Sequence, residues 1–236
     1  MSLLDTPLWE VIKGSFAPAV WAKVLPAILE TLYMLTVASL ITLVLGLALG
    51  VLMTVTNPNG LVPLGWFYAV SGWVINILRS LPQMIMIILL IPVARLFFGK
   101  SYGTNPCLIA IAACLIPMYA RIVESSILEI AKGKIDAAKS MGSTNVQIVF
   151  RVLLPETLPS LIRGFTVTVI AVLSMTALAG LFGAGGVGDI AVRFGHQRFQ
   201  HDVLFAAVYV LIVLVQIIQF LGDFTSKKIL RKRNLI

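Results

Sequence analysis

Five apolar stretches, residues 27–55, 66–98, 107–123, 158–182 and 203–224, constrain this chain more than any other feature. Each is long enough to cross the roughly 30 Å hydrocarbon core of a bilayer. In hydrocarbon every backbone N–H and C=O must find its partner within its own segment, so each stretch is expected to be helical. Only 12% of the 236 residues are charged while 59% are hydrophobic, against roughly 25% charged in soluble domains. The expected fold class is therefore all-α: one polytopic membrane domain over residues 1–236, with five transmembrane helices.

The second stretch would extend roughly 50 Å as a single helix at 1.5 Å per residue. That is too long for one straight span and too short for a hairpin of two. A break is expected at Arg79-Ser80-Leu81-Pro82, where proline removes a backbone donor.

The formal charge of +8 reads as topology, not as nucleic-acid binding. Arg121, Lys132, Lys134, Lys139, Arg151 and Arg163 flank the connection between stretches three and four, and Lys227, Lys228, Arg231, Lys232 and Arg233 crowd the C-terminus. Both regions should be cytoplasmic by the positive-inside rule. Five spans then put the N-terminus outside, with the connection after Phe98 and the segment 183–202. Lys13, Lys23, Lys100, Arg193 and Arg198 also fall on that side and weaken the asymmetry. Residues 1–10 are acidic where a signal peptide would be basic, and no small-residue cleavage site follows, so no leader is expected to be removed. Cys107 and Cys114 lie two helical turns apart in stretch three and read as small buried side chains, not as a disulfide or metal site.

The cytoplasmic loop, about 124–156, carries its own pattern. Ile127, Ile130, Ala131, Ile135, Ala138 and Met141 recur at helical spacing, with Glu129, Lys132, Asp136 and Lys139 on the other faces. This predicts a helix from Ser126 to Met141, ended by Gly142 in the left-handed conformation. Thr144-Asn145-Val146-Gln147 fits a capping box, so a second short helix should run to Leu154, with Pro155 and Pro159 marking its exit into span four. Ala137 and Ala138 would let another protein's surface approach the helix backbone, and Asp136 and Lys139 offer charge for register. The plain alternative is a surface helix lying on the membrane.

These residues resemble the EAA loop of permease subunits of ATP-binding cassette importers: Glu-Ala-Ala, three residues, Gly, nine residues, Ile, one residue, Leu-Pro. Here the pattern is Asp136-Ala137-Ala138, Gly142, Val152, Leu154-Pro155, with aspartate and valine at two family positions. The resemblance implies that the loop sits in a cleft of a separate ATPase subunit and converts nucleotide-driven closure into rocking of the spans. ATP and Mg would be bound by that partner. No cofactor, metal or catalytic residue is expected in this chain.

Further stretches are similar to the methionine-importer permease family: Asn76-Ile77-Leu78-Arg79-Ser80-Leu81-Pro82, Ile91-Pro92-Val93, Gly183-Ala184-Gly185-Gly186-Val187-Gly188, Arg193-Phe194-Gly195-His196 and Gln219-Phe220-Leu221-Gly222-Asp223. The resemblance runs from about residue 30 to 228 in one register. It implies a methionine pathway in a bacterial inner-membrane assembly of two ATPase copies, a second permease copy, as a homodimer, and an extracytoplasmic substrate-binding protein. Permeases for osmoprotectants or other amino acids share some of these elements and remain the alternative. A secondary transporter is disfavoured, because the chain has neither an internal repeat nor an acid in mid-span.

Two nucleotide-site imitations fail on context. Gly99-Lys100-Ser101 lacks its upstream glycine, which falls on Ala94. The glycines from 183 to 188 satisfy G-x-G-x-x-G but follow a membrane helix where the cofactor fold needs a strand. Close packing at the outer mouth explains them better, as it does Gly46 and Gly50 in span one.

For the pathway, span four offers Thr166, Thr168, Ser174, Met175, Thr176 and Leu178, hydroxyls interleaved with flexible apolar side chains; Met175 and Leu178 could close it by excluding water. The competing reading has each hydroxyl bonding its own helix. Arg79 is expected to snorkel at a helix break, or to pair with Glu124 if deeper, in preference to binding a substrate carboxylate. His196, His201, Asp189 and Asp202 read as a solvated outer rim that meets the binding protein, not as a metal site.

Overall fold

A computed structural model describes residues 8–232. The first seven residues of the acidic N-terminal segment, and Arg233, lie outside the described residues. The elements are α1 (Leu8–Gly14), α2 (Pro18–Thr56), α3 (Gly65–Ser80), α4 (Gln83–Phe98), α5 (Thr104–Leu128), α6 (Lys132–Ser140), α7 (Asn145–Ile148), a π-helical turn (Val149–Leu153), α8 (Leu154–Gly180), α9 (Gly186–Ile190), a second π-helical turn (Ala191–His196) and α10 (His201–Lys232). The fold is all-helical, with no strand among the described residues.

Four helical runs, α2, α5, α10 and the continuous Asn145–Gly180, are long and apolar enough to cross a bilayer. The fifth expected span is two helices: α3 and α4 bend by 108° at the break. Leu81 there is extended, with φ −76° and ψ 131°, as a residue before proline must be, and Pro82 supplies no N–H to continue the ladder.

The loop departs from expectation at both ends. No single helix covers 126–141: α5 runs on to Leu128, and Ala131 turns extended before α6 begins. A straight helix would hold Ala138 roughly 16 Å from Ile127, whereas the break lets both pack into one cluster with Ile148, Val149 and Leu153. Nor do Pro155 and Pro159 end anything. α8 starts at Leu154 and passes through both. Pro155 follows the π-helical turn, where the i→i−4 ladder is already displaced, so its missing N–H costs little. The Pro159 carbonyl accepts from the Ser226 hydroxyl at 3.2 Å.

The chain divides into two compact units. One comprises the segment ending at Ser39, Pro82–Ala112 and Val169–Ile218. Its core packs Val20, Val24 and Ala27 of α2 with Val187 and Ile190 of α9 and Val203, Ala206, Ala207 and Val210 of α10. The other comprises Leu40–Leu81, Ala113–Thr168 and the segment from Gln219 onward. Its core gathers Tyr119, Val123, Ile127, Ala138, Ile148 and Leu161. Here the Gly46 and Gly50 pair does its packing: a Cβ on Gly50 would lie 2.5 Å from the Val123 Cβ and 2.6 Å from the Ala120 carbonyl, so α2 and α5 touch through bare backbone.

Candidate functional site

The loop is held together by hydrogen bonds of short range. Gly142, at φ +75°, donates to the Lys139 carbonyl at 2.9 Å, and Ser143 donates to the Ala138 carbonyl at 3.1 Å, the paired bonds of a Schellman motif. The expected capping box is formed: the Thr144 hydroxyl accepts from Gln147 N–H at 3.3 Å, and the Gln147 side-chain oxygen accepts from Thr144 N–H at 2.9 Å. Lys134 pairs with Glu156.

Asp136, Ala137 and Gly142 are exposed, while Val152, Leu154 and Pro155 are half-buried. Ala138 faces the other way, 3% exposed inside the unit's own core, so its small side chain seats α6 on the spans and leaves the neighbouring Ala137 outward. Met141, expected on the inward stripe, is 79% exposed because the chain reverses at Gly142. It shares the surface with the exposed Val146 and Phe150, which the sequence reading missed although their i, i+4 spacing puts them on one helix face. Elsewhere in this unit, Asn57, Asn59, Lys132, Ile135, Asp136 and Lys139 line a hollow of about 460 Å³.

The glycine turn is a second built feature. The Glu30 carboxylate accepts from Gly186 N–H at 2.7 Å, and the Thr31 hydroxyl accepts from Val187 N–H at 2.9 Å. A Cβ on Gly188 would stand 2.5 Å from the Ala177 carbonyl, and one on Gly180 would stand 2.7 Å from the Gly188 carbonyl carbon. With α8 before the turn and no strand among the described residues, the glycines do steric work. Burial raises the Asp189 carboxyl above its ordinary value; Arg193, bonded to it at 2.7 Å, opposes this, and Glu30 adds to it. The structure assembles no group of three or more His, Cys, Asp or Glu able to hold a metal among the described residues. Cys107 and Cys114 are both free thiols.

On α8 the four hydroxyls offered for the pathway are each bonded to their own helix: Thr166 to Ile162, Thr168 to Gly164 at 2.9 Å, Ser174 to Ile170 at 3.1 Å and Thr176 to Leu173. Thr168 and Met175 are wholly buried within the chain. Ser174 and Leu178 instead line an open hollow of about 520 Å³ together with Leu181, Val192, Leu211 and Val215.

Arg79 is exposed. The buried Glu124 takes a different partner, Arg121, at 2.7 Å, and accepts from the Tyr68 hydroxyl at 2.8 Å. Arg121 also donates to the Gly72 carbonyl and the Asn76 side chain, both at 3.2 Å, so α3 is tied to α5 by one polar cluster. The i, i+3 spacing of Arg121 and Glu124 was the available signal.

Long apolar helices, a capped loop between two of them and a tight glycine turn define a multi-pass membrane protein whose conspicuous features position backbone and present surface. The chain belongs to the family of binding-protein-dependent transport system inner membrane components, whose model matches residues 46–232. It is 39% identical over 205 residues to the probable D-methionine transport system permease protein MetI of Vibrio cholerae, covering 87% of this chain and 91% of that one. It is 44% identical over 155 residues to the methionine import system permease protein MetP of Bacillus subtilis, covering 66% and 70%. Among solved structures, the MetNI methionine ABC transporter in an inward-facing conformation superposes with a TM-score of 0.88 at 34% identity, covering 91% of this chain and 99% of that one.

Proposed function

We propose that this chain is the permease subunit of an ATP-driven methionine importer, forming the pathway while a separate subunit hydrolyses ATP. The observation that carries this reading is the superposition on the methionine transporter over nearly the whole of both chains. ATP and Mg bind to the partner. The assembly holds two ATPase copies, a second copy of this chain and an extracytoplasmic binding protein. The N-terminus lies outside and the C-terminus in the cytoplasm, in keeping with the basic residues about the loop and the C-terminus. Five spans follow if the bent α3–α4 pair counts as one.

In this reading the ATPase docks on the outward face of the loop, where Asp136 and Ala137 are exposed beside Met141, Val146 and Phe150. Caps at both ends of the turn keep that face in one shape. The loop and the pathway candidates Ser174 and Leu178 belong to one continuous helical run, Asn145–Gly180. Those two line the pathway, while Thr168 and Met175 are buried within the chain.

The test is reconstitution with the co-purified ATPase and binding protein, followed by uptake of labelled methionine. ATP-dependent uptake competed by unlabelled methionine, and not by glycine betaine or basic amino acids, is expected. Competition by either of those compounds and not by methionine would reassign the substrate. Uptake by the chain alone, with no ATPase held in stoichiometric amount, would overturn the importer reading.

A further inference from the structure

Three cations gather on a single ring in the unit that holds the glycine turn. The Lys23 ammonium lies 5.0 Å from the centroid of Phe194, the Arg193 guanidinium carbon 5.1 Å and that of Arg198 4.7 Å. All three distances are in cation–π range. The π-helical turn Ala191–His196 supplies Arg193 and Phe194, and Lys23 is steadied by donating to the Gln200 side chain at 3.1 Å. Asp189 answers one of the three charges, through Arg193. The Glu30 carboxylate is turned to Gly186 N–H and Asp202 stands in the first turn of α10; neither is paired with Lys23 or Arg198 among the described residues. Lys23 and Arg198 are exposed and no ion pair to either is found among the described residues.

Two things make this arrangement unlike a solvated rim. On the proposed orientation it faces outside, where the positive-inside rule disfavours Lys and Arg. Next to it Phe199 is 63% exposed and held at φ +55°, a conformation that a bulky residue adopts only when its surroundings impose it. Arginine beside a projecting aromatic ring is the composition of an interface hot spot.

We propose that this cationic platform, Lys23, Arg193 and Arg198 around Phe194 with Phe199 at its edge, seats carboxylates of the extracytoplasmic binding protein. It rests on the importer reading above and on the family to which the chain belongs, transport systems that depend on a binding protein. The two exposed cations without an ion pair among the described residues, Lys23 and Arg198, are the groups that carboxylates of the partner would meet. Long-range attraction speeds the encounter, and the ring and Phe199 supply the apolar contact that holds it.

The experiment uses the full transporter in nanodiscs of phosphatidylcholine, titrated with substrate-loaded binding protein while ATP hydrolysis is followed. For the double variant K23E/R198E the half-stimulating concentration should rise by about tenfold or more, and its dependence on salt should flatten. Arg198→Lys keeps the charge and should stay within about twofold of the parent. Unchanged half-stimulation in the double variant, with the parent responding normally, overturns the proposal and leaves the importer reading standing. So does a difference that arises only when phosphatidylglycerol is added, which would assign the platform to anionic lipid. A parent that does not respond to binding protein at any concentration overturns the importer reading itself, and the proposal with it.

Discussion

The loop between α5 and α8 and the turn between α8 and α9 both depend on glycine, and they are held in opposite ways. Around Gly142 each bond closes within six residues, from Ala138 to Ser143 and from Thr144 to Gln147, and a Cβ on Gly142 would meet nothing within 4 Å. The glycine is there for its φ alone. The turn at 183–188 is held by Glu30 and Thr31, more than 150 residues away in sequence, and its Gly188 is pressed against the backbone of Ala177. The loop therefore keeps its shape by bonds among its own residues, whereas the turn keeps its shape only through α2 and α8.

The largest effect should come from filling the clamped turn. In Gly188→Ala the new Cβ would stand 2.5 Å from the Ala177 carbonyl, and backbone cannot step aside as a flexible side chain can. A loss of about 3 kcal/mol is expected, read as a lowered melting temperature in mild detergent and poor recovery of monodisperse protein. Wild-type melting would mean that the contact between α8 and α9 is not tight, and the contrast with Gly142 would lapse.

Removing a remote clamp should cost somewhat less. Thr31→Val keeps the shape but deprives the buried Val187 N–H of its acceptor, for about 2 kcal/mol. Thr31→Ser keeps the hydroxyl and should recover most of that. If serine destabilises and valine does not, the methyl group's packing and not the hydrogen bond holds the turn.

The free glycine comes next. Gly142→Ala has room for its methyl and suffers only the left-handed φ, about 1 to 2 kcal/mol. Because the strain sits in the loop, melting of the spans should barely move, while methionine taken up per ATP hydrolysed should fall. Equal losses in melting temperature and coupling would show that the loop is not the self-contained piece its hydrogen bonds describe.

The same contrast explains what could be read from the chain. Short-range chemistry was legible: Gly142 as a helix stop, Thr144 to Gln147 as a capping box and Leu81-Pro82 as a break all follow from residues that act on their neighbours. Apolar length likewise gave the helices. What depended on distant partners was not legible. The i, i+3 spacing offered Arg121 to Glu124, but the further ties of Arg121 to Gly72 and Asn76 emerge only when α3 is laid beside α5. Ala138 and Met141 share a helical stripe on paper, yet they part company because the chain reverses immediately after Met141. On α8, hydroxyl spacing could not tell Thr168, which is wholly buried, from Ser174, which opens onto a hollow. Pro155 and Pro159 misled for a related reason: a π-helical turn, which sequence does not announce, absorbs the first of them.

The smallest effect expected separates the loop's shape from its stability. Thr144→Ala deletes the hydroxyl that accepts from Gln147 N–H, and it also frees the Gln147 side chain, whose oxygen reaches back to Thr144 N–H. Losing such a cap costs about 1 kcal/mol, and here the cost is borne by a helix of four residues and not by a span. The melting temperature should therefore stay within error, since α7 can fray at its first turn while Ile148, its last residue, stays packed with Leu153. Fraying would nevertheless loosen Val146 and Phe150, the exposed face that the partner is proposed to meet. Affinity for the ATPase should fall by roughly fivefold, the factor that about 1 kcal/mol supplies, and Thr144→Ser should restore it. Full affinity in the alanine variant would mean that the partner grips Asp136 and Ala137 on α6 and not the face that α7 carries. The docking surface would then end at Gly142, with the capping box serving only to lead the chain into α8.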